Sequence, residues 1–353
     1  MLDFSGTEKI RAGQELPVEA LSAWLVDNVT GFCGPLYMEQ FKGGQSNPTY
    51  KLVTPGKSYV LRRKPRGTLL KGAHAVEREY RVTLALSEAG FPVANPLALC
   101  VDEAVIGSAF FIMDLVPGRI FWDSTFPALQ PVQRRGYFDQ LNATLARLHS
   151  LNPGALGLAD YGKPSDYLKR QIARWSTQYQ NDDLAGRNVD MDRLVEWLPQ
   201  HVPPGDECRI VHGDYRADNL VFDANGPRVL AVLDWELSTL GHPLADFTYH
   251  LMMYRLPPSI IGGFAGADLV ALGIPTEEEY VRAYCQRTGR TGMAQLNFYM
   301  AFNMFRFAAI FHGIRGRIAR GTASSAHAQS MVANVAPLAA LAWQQTTSQS
   351  EYA

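Results

Sequence analysis

The chain has 353 residues, enough for two lobes or domains, and 47% of them are hydrophobic, which is ample for a large packed core. Its formal net charge of −1 provides no overall field that would recruit nucleic acid or an anionic membrane surface. The N-terminus lacks the basic start and apolar core of an export signal, and no run approaches the length of a membrane span. We therefore expect a soluble globular protein without nucleic-acid partners or membrane insertion.

The cysteines are widely spaced and form no Cys-x-x-Cys pair. They are Cys33, Cys100, Cys208 and Cys285. This spacing argues against a zinc site and against a disulfide framework. Because free thiols suit a reducing compartment, the predicted location is the cytoplasm.

The first third of the chain predicts a helix followed by short strands. Apolar residues recur at helical intervals from Val18 to Val29, and the role expected for this helix is packing. Strand-like runs follow at residues 37–41, 49–53 and 59–62, and a Pro-Gly turn joins the last two. This order predicts a sheet preceded by an amphipathic helix.

A glycine-rich loop connects the first two strands. The loop includes Gly43, Gly44, Gln45, Ser46 and Asn47. A loop at this position can cover a nucleotide, because missing side chains let backbone amides approach phosphate oxygens. The same residues also suit an ordinary hairpin connection, so both interpretations stay open.

The third strand and the next helix each carry a charged candidate. Arg62 alternates with Val60, and an arginine can bridge phosphate oxygens with both arms of its guanidinium group. Residues 75–86 predict a helix, on which Glu79 is the expected ion-pair partner of Arg62. A solvated position for Glu79 is the alternative. The buried stripe predicted for this helix consists of Val76, Tyr80, Thr83 and Leu84.

The boundary between two domains is expected where the sequence changes from strand-like runs to helical spacing of apolar residues. Residues 109–118 read as a buried strand that ends in a Pro-Gly break, and helical spacing of apolar residues resumes near Phe138. We therefore predict domains at residues 1–115 and 116–353.

The most informative segment begins at Ile210. His212, Asp214 and Asn219, followed by Asp234, match the His-x-Asp-x-x-x-x-Asn loop and downstream Asp of phosphoryl-transfer centres. One carboxylate must reach the acceptor hydroxyl, while a separate amide and carboxylate hold the magnesium that neutralises the triphosphate. The spacing therefore predicts a phosphoryl-transfer site.

A predicted hairpin lies between the two candidate metal ligands. Residues 219–223 and 228–233 read as strands around an Asn-Gly turn, which would bring Asn219 and Asp234 close together. For any single aspartate here, the alternative is a solvated hairpin with acidic ends.

With these motifs, the chain resembles the aminoglycoside-phosphotransferase and choline-kinase branch of the kinase-like fold over nearly its whole length. His212-Gly213-Asp214 replaces the His-Arg-Asp of protein kinases, Asp234-Trp235-Glu236 replaces Asp-Phe-Gly, and no Ala-Pro-Glu segment follows. Residues 233–246 and 305–325 are similar to the kinase-like domain fused to some acyl-CoA dehydrogenases. The resemblance implies an α+β, two-lobed fold with an antiparallel sheet plus helix in the N-lobe and a mainly helical C-lobe.

The resemblance also implies the cofactors and the role of each candidate residue. ATP and magnesium are expected, with Asn219 and Asp234 as metal ligands and Asp214 as the base or orienting carboxylate for the acceptor hydroxyl. Arg216 is expected to stabilise charge on the transferred phosphate. The remaining assignments are adenine contacts at Met113, Asp114 and Leu115, a nucleotide-binding role for the glycine-rich loop with Arg62 and Glu79, and bracing of the catalytic loop by His212 and Asp246.

The acceptor is predicted from a long C-terminal helix. Residues 295–320 contain four arginines and no acidic residue, and Arg306, Arg317 and Arg320 share one side at 100° per residue. This pattern predicts an anionic small molecule as the acceptor, such as a hydroxyacyl-CoA or a hydroxy acid. The alternative is that the arginines are solvated or pair with acidic loops. The alternatives for the whole protein are an aminoglycoside phosphotransferase and a nucleotide-binding pseudokinase module. An aminoglycoside pocket would need carboxylates to bind its polyamine acceptor.

Overall fold

The computed structural model describes residues 6–43, 47–65, 75–322 and 328–348. Its strands are β1 (Thr7–Glu8), β2 (Tyr37–Phe41), β3 (Thr49–Val53), β4 (Ser58–Arg63), β5 (Pro96–Cys100), β6 (Phe110–Asp114), β7 (Arg209–Val211), β8 (Leu220–Phe222), β9 (Val229–Val232) and β10 (Thr239–Gly241). Its helices are α1 (Val18–Asn28), α2 (Val76–Glu88), α3 (Glu103–Ile106), α4 (Pro131–Ser150), α5 (Tyr167–Gln180), α6 (Val189–Gln200), α7 (Pro243–Leu251), α8 (Leu269–Leu272), α9 (Glu277–Thr288), α10 (Leu296–Ala319), α11 (Ala328–Ala333) and α12 (Val335–Thr347). Within the described ranges, no helix combines the length and apolarity that crossing a membrane requires.

The chain divides into two compact units. Unit 1 consists of Met1–Trp122, Gly154–Tyr161 and Ala217–Ser238. Unit 2 consists of Asp123–Pro153, Gly162–Arg216 and Thr239–Ala353. The predicted division between residues 115 and 116 remains a prediction.

Unit 1 is built on an antiparallel six-stranded sheet in the order β1-β2-β3-β4-β6-β5. Successive side chains of a strand point to opposite faces, so β4 sends Tyr59 and Leu61 to the core that includes α1, whereas Val60 and Arg62 line a cavity. The predicted first helix and the strands at residues 37–41 and 49–53 are confirmed, and the strand predicted at residues 59–62 is one residue longer at each end.

The buried stripe predicted for α2 was partly wrong. Its buried residues are Val76, Glu79, Val82, Thr83 and Leu86, whereas Tyr80 and Leu84 are only half-buried. The reason is electrostatic, because Glu79 turns inward to pair with Arg62 and so rotates the buried face of the helix.

The hairpin of β8 and β9 also belongs to unit 1, and its antiparallel pairing confirms the prediction. The backbone amide of Val232 donates to the carbonyl of Pro92 at 2.8 Å, which ties the hairpin to the segment before β5. Gly118 lies directly against it, since a Cβ atom there would fall 2.4 Å from the carbonyl oxygen of Phe222. Glycine is therefore required at this close approach.

Unit 2 is mainly helical, with β7 and β10 forming a short antiparallel pair. Its central helix, α10, packs against α5, α7 and α12 and is apolar around most of its circumference. A helix of that composition is stable only when surrounded by other elements. The long helix predicted at residues 295–320 is thus confirmed, and Phe302 and Phe305 at its centre are completely buried.

Candidate active site

Unit 1 contains a cavity of about 430 Å³. Its apolar walls include Val60, Ala94, Met113, Leu115, Val221 and Val232, and its polar groups include Arg62, Glu79, Asn219 and Asp234. Apolar walls with a few convergent polar groups are typical of a small-molecule site of this size. Met113, Asp114 and Leu115, predicted to contact adenine, all line the cavity.

The glycine-rich loop is only partly within the described residues. Gly43 lines the cavity, whereas Gly44, Gln45 and Ser46 lie outside the described ranges. Asn47 is completely buried, and its Nδ2 atom donates to Glu79 at 2.8 Å and to Glu236 at 3.4 Å. These contacts tie the end of the loop to α2 and to the turn after β9.

A buried ion-pair cluster surrounds Arg62. Its Nε atom lies 2.8 Å from Glu79, and its Nη2 atom lies 2.7 Å from Asp234 and 3.5 Å from Glu236. The predicted pairing of Arg62 with Glu79 is confirmed. Glu236 was not predicted as a site residue, although it directly follows Asp234-Trp235 in the motif.

The cluster has an excess of negative charge, because three carboxylates face one guanidinium. Burial raises the pKa of Glu79 to about 7; Arg62 opposes this rise, and the charges of Asp234 and Glu236 add to it. Burial by itself would lower the pKa of Arg62, but the three carboxylates raise it. The guanidinium therefore stays charged, and the uncompensated negative charge favours a divalent cation.

Asn219 and Asp234 lie at the two ends of the hairpin. The amide of Leu233 donates to the carbonyl of Asn219 at 2.8 Å, and both candidate ligands line the cavity, so their predicted proximity is confirmed. Asp234 has a φ of 63°, a left-handed conformation that is uncommon among residues other than glycine.

The donor set fits magnesium. Carboxylate and amide oxygens are hard ligands, and magnesium is usually held by one or two protein groups together with substrate phosphates. In the described ranges, no group of three or more His, Cys, Asp or Glu side chains is placed to hold a metal ion. The carboxylate of Asp234 and the amide of Asn219 are therefore compatible with the one or two protein ligands that magnesium commonly uses.

In unit 2, Asp246 on α7 holds the loop that contains the candidate base. Its carboxylate accepts the backbone amides of His212 at 2.7 Å and Gly213 at 2.8 Å, and lies 3.2 Å from Nε2 of His149. Burial alone would raise the pKa of Asp246, but the hydrogen bond and charge of His149 and the His212 amide lower it overall. Asp246 thus stays ionised and fixes two successive amides.

Glycine is required at the centre of this loop. Gly213 has a φ of 85°, in the region that side chains of L-residues avoid. The chain can turn here so that the amides of both His212 and Gly213 reach one carboxylate. This backbone conformation accounts for the glycine at position 213 of this chain.

The candidate base has a partner that sequence reasoning missed. The hydroxyl of Tyr249 lies 2.6 Å from Oδ1 of Asp214. Tyr249 follows Asp246 by three residues, so both side chains lie on one face of α7. That spacing could have shown that Tyr249 shares a face with Asp246, but not that it contacts Asp214. Arg216, the predicted charge stabiliser, is half-buried two residues after Asp214.

The arginines of α10 have different surroundings. Arg306 is buried and donates from Nη2 to the carbonyl of Gly213 at 2.9 Å. Arg320 forms two hydrogen bonds with Asp182, at 2.8 and 2.9 Å, which is the pairing with an acidic loop left open by the sequence. Arg317 is exposed. Of the three, Arg306 directly contacts the loop that carries Asp214.

Comparison with known proteins agrees with this geometry. The model of the Phosphotransferase enzyme family matches residues 38–299. Acyl-CoA dehydrogenase family member 10 of Mus musculus is 44% identical over 345 residues, which are 97% of this chain and 32% of the mouse protein. The chain therefore spans about a third of the length of that curated relative.

Solved structures share the fold. A Ralstonia eutropha protein provisionally named an aminoglycoside phosphotransferase is 50% identical, with a TM-score of 0.87 over 94% of this chain and 99% of that one. Spectinomycin phosphotransferase, solved with ADP and spectinomycin, is 14% identical, with a TM-score of 0.62 over 95% of this chain and 100% of that one. The predicted α+β, protein-kinase-like fold is confirmed.

Proposed function

This chain belongs to the phosphotransferase enzyme family, and from that premise we propose that it is an ATP- and magnesium-dependent kinase for a hydroxyl group on a small anionic molecule. The observation that carries the proposal is the cavity of unit 1, where Arg62, Asn219 and Asp234 stand beside apolar walls. Family membership makes it a phosphotransferase of small molecules, whereas the nucleotide, the metal and the acceptor belong to the proposal.

The nucleotide would be bound by the groups that line this cavity. Met113 to Leu115 end strand β6 and would contact the adenine, while Arg62, fixed by Glu79, would contact phosphate oxygens. Asn219 and Asp234 would hold magnesium, which when bound neutralises charge on the triphosphate. Asn47 contributes by bracing Glu79, because its side-chain amide donates to that carboxylate.

Asp214 is the proposed base or orienting carboxylate for the acceptor hydroxyl. The acceptor oxygen forms a bond to the γ-phosphorus, the bond from that phosphorus to the ADP oxygen breaks, and the hydroxyl proton passes to the carboxylate. Arg216 is proposed to stabilise negative charge on the transferred group. Within unit 2, Asp246 fixes the backbone of the loop that carries Asp214.

The acceptor is proposed to be anionic, with hydroxyacyl-CoAs and hydroxy acids as the leading class. α10 carries three arginines, Arg320 follows directly at its C-terminal end, and the helix contains no acidic residue, which disfavours a polycationic acceptor. Arg306 is the strongest candidate to bind the acceptor's negative charge because it lies against the Asp214 loop; Arg317 and Arg320 would act farther along the helix. The acyl-CoA dehydrogenase name of the mouse relative favours an acyl group.

The direct test is a phosphorylation screen. Purified protein is incubated with ATP, magnesium and a panel of hydroxyacyl-CoAs, hydroxy acids and aminoglycosides, and products are identified by mass spectrometry. A phosphorylated acyl product that disappears in Asp214→Asn would support the proposal. Product only with aminoglycosides, the class named for the Ralstonia protein, would refute the anionic acceptor.

A nucleotide-binding module without turnover is the other outcome to distinguish. It would bind ATP without magnesium and phosphorylate no member of the panel. Asp214, Asn219 and Asp234 are all present, which favours an active enzyme. The described cysteines are free, and on that basis we propose the cytoplasm as its location.

A further inference from the structure

One side chain beside Asp214 has no role in the function proposed above. Tyr249 is 5% exposed, and its hydroxyl contacts Oδ1 of Asp214 at 2.6 Å. This distance is at the short end for a hydrogen bond between a hydroxyl and an oxygen. Tyr249 is therefore a direct hydrogen-bond partner of the candidate base.

The phenol is the donor in this contact. Burial, followed by the charge of Asp214, raises the pKa of Tyr249 well above its ordinary value. Tyr249 consequently keeps its proton at any pH at which the enzyme would work. It therefore acts as a hydrogen-bond donor to the carboxylate.

α7 holds the loop at two successive points. Asp246 binds the backbone amides of His212 and Gly213, and Tyr249, one turn later, binds the side chain of Asp214. The helix thus sets the path of the backbone with one residue and the orientation of the carboxylate with another.

The helix and the tyrosine ring are themselves fixed by α10. Nδ2 of Asn303 donates to the carbonyl of Ala245 and to Oγ1 of Thr248, each at 2.8 Å. The guanidinium of Arg306 lies 5.2 Å from the centre of the Tyr249 ring, within the range of a cation–π contact. The position of Tyr249 is therefore restrained by the contacts that fix helix α7 and by the contact on the face of its ring.

We propose that Tyr249 is a positioning residue that orients the Asp214 carboxylate for the acceptor hydroxyl. The inference rests on the proposed kinase function of Asp214. Binding one oxygen of the carboxylate restricts its rotation about the last side-chain bond, and removing that contact widens the range of its orientations. Base catalysis depends on such geometry, so the effect falls on the chemical step and not on nucleotide binding.

The test compares Tyr249→Phe with Tyr280→Phe. The control removes the same atom from another buried tyrosine of unit 2, whose hydroxyl lies 2.8 Å from Nε2 of His250. Tyr249→Phe is expected to lower kcat about 10- to 100-fold with KM for ATP changed less than about twofold. Tyr280→Phe should retain the wild-type kcat. In an Asp214→Asn background, Tyr249→Phe should cause no further loss, because both act on one step.

Two results would overturn the inference. A wild-type kcat in Tyr249→Phe would do so, as would equal losses in both phenylalanine variants, since equal losses indicate general destabilisation. If wild-type protein phosphorylates nothing in the panel, the proposed function fails and a crystal structure of Tyr249→Phe decides the orienting role. Rotation of the Asp214 carboxylate with an unmoved backbone supports that role, and an unmoved carboxylate refutes it.

Discussion

Replacing Asp246 by asparagine should destabilise unit 2 far more than its small change in shape suggests. The carboxylate accepts two buried backbone amides, at 2.7 and 2.8 Å, through different oxygens. Asparagine keeps one accepting oxygen but presents an NH₂ group to the other amide. One amide of the His212-Gly213 pair therefore loses its acceptor and meets a donor.

The magnitude follows from these contacts. A hydrogen bond to a charged group contributes about 1.5–3 kcal/mol, and a buried donor without a partner costs about 1–3 kcal/mol. Together they give a loss of roughly 2.5–6 kcal/mol in the free energy of unfolding. Because the pKa of Asp246 is lowered on folding, its contribution is complete above the ordinary carboxyl pKa and is lost as pH falls through the lowered value.

Urea denaturation at neutral pH measures the effect, with Asp268→Asn as the matched control. Asp268 caps α8 by accepting the amide of Ala271 at 3.0 Å, and asparagine caps a helix about as well as aspartate. The control should change the free energy of unfolding by less than about 0.5 kcal/mol. If Asp246→Asn stays within about 1 kcal/mol of wild type, the carboxylate does not hold the loop as described.

Three further outcomes are expected. Burial lowers the pKa of His250 from 6.5 to about 4, so the stability linked to its neutral form is complete above pH 6.5 and about 3 kcal/mol of it is lost as pH falls to 4. His250→Gln should therefore make urea midpoints depend less on pH over that interval. An unchanged pH dependence would contradict the buried neutral imidazole. Arg62→Lys should weaken ATP binding about tenfold by calorimetry, because lysine cannot reproduce the guanidinium contacts, whereas the exposed Arg81→Lys should not; equal affinities for the two variants would remove Arg62 from the site. Gly213→Ala should destabilise the protein by about 1–2 kcal/mol in urea because of its φ of 85°, whereas Gly226→Ala, which has open space around its Cβ position, should be tolerated; a stable Gly213→Ala would refute the need for a left-handed residue.

The sequence predicted those parts of the fold that depend on local patterns. The strands at residues 37–41 and 49–53 and the hairpin beginning at Leu220 could be identified because alternation and turn residues are short-range signals. The pairing of Arg62 with Glu79 could also be predicted, since alternation with Val60 indicated Arg62 and the predicted helix at residues 75–86 supplied Glu79. Strand β5, in contrast, was not predicted, because its fit beside β6 depends on partners distant in sequence.

The parts that were missed involve side chains whose roles are set by tertiary contacts. Tyr80 was expected in the buried stripe of α2, but the charge of Arg62 draws Glu79 inward instead. Glu236 and Tyr249 carry no motif of their own, and only the folded chain shows that each contacts a charged candidate residue. Helical spacing could suggest that Asp246 and Tyr249 share a face, but not what that face contacts.

The central claim is that this chain transfers phosphate with Asp214 as its base or orienting carboxylate. The most direct measurement compares initial rates of acceptor phosphorylation for wild type, Asp214→Asn and Asp223→Asn, an aspartate of the hairpin turn paired with Arg228. Because asparagine cannot accept the acceptor's proton, we expect the rate of Asp214→Asn to fall about 10²- to 10⁴-fold while its ATP affinity stays unchanged. Asp223→Asn should be as active as wild type. Phosphorylation at the wild-type rate by Asp214→Asn would contradict the account.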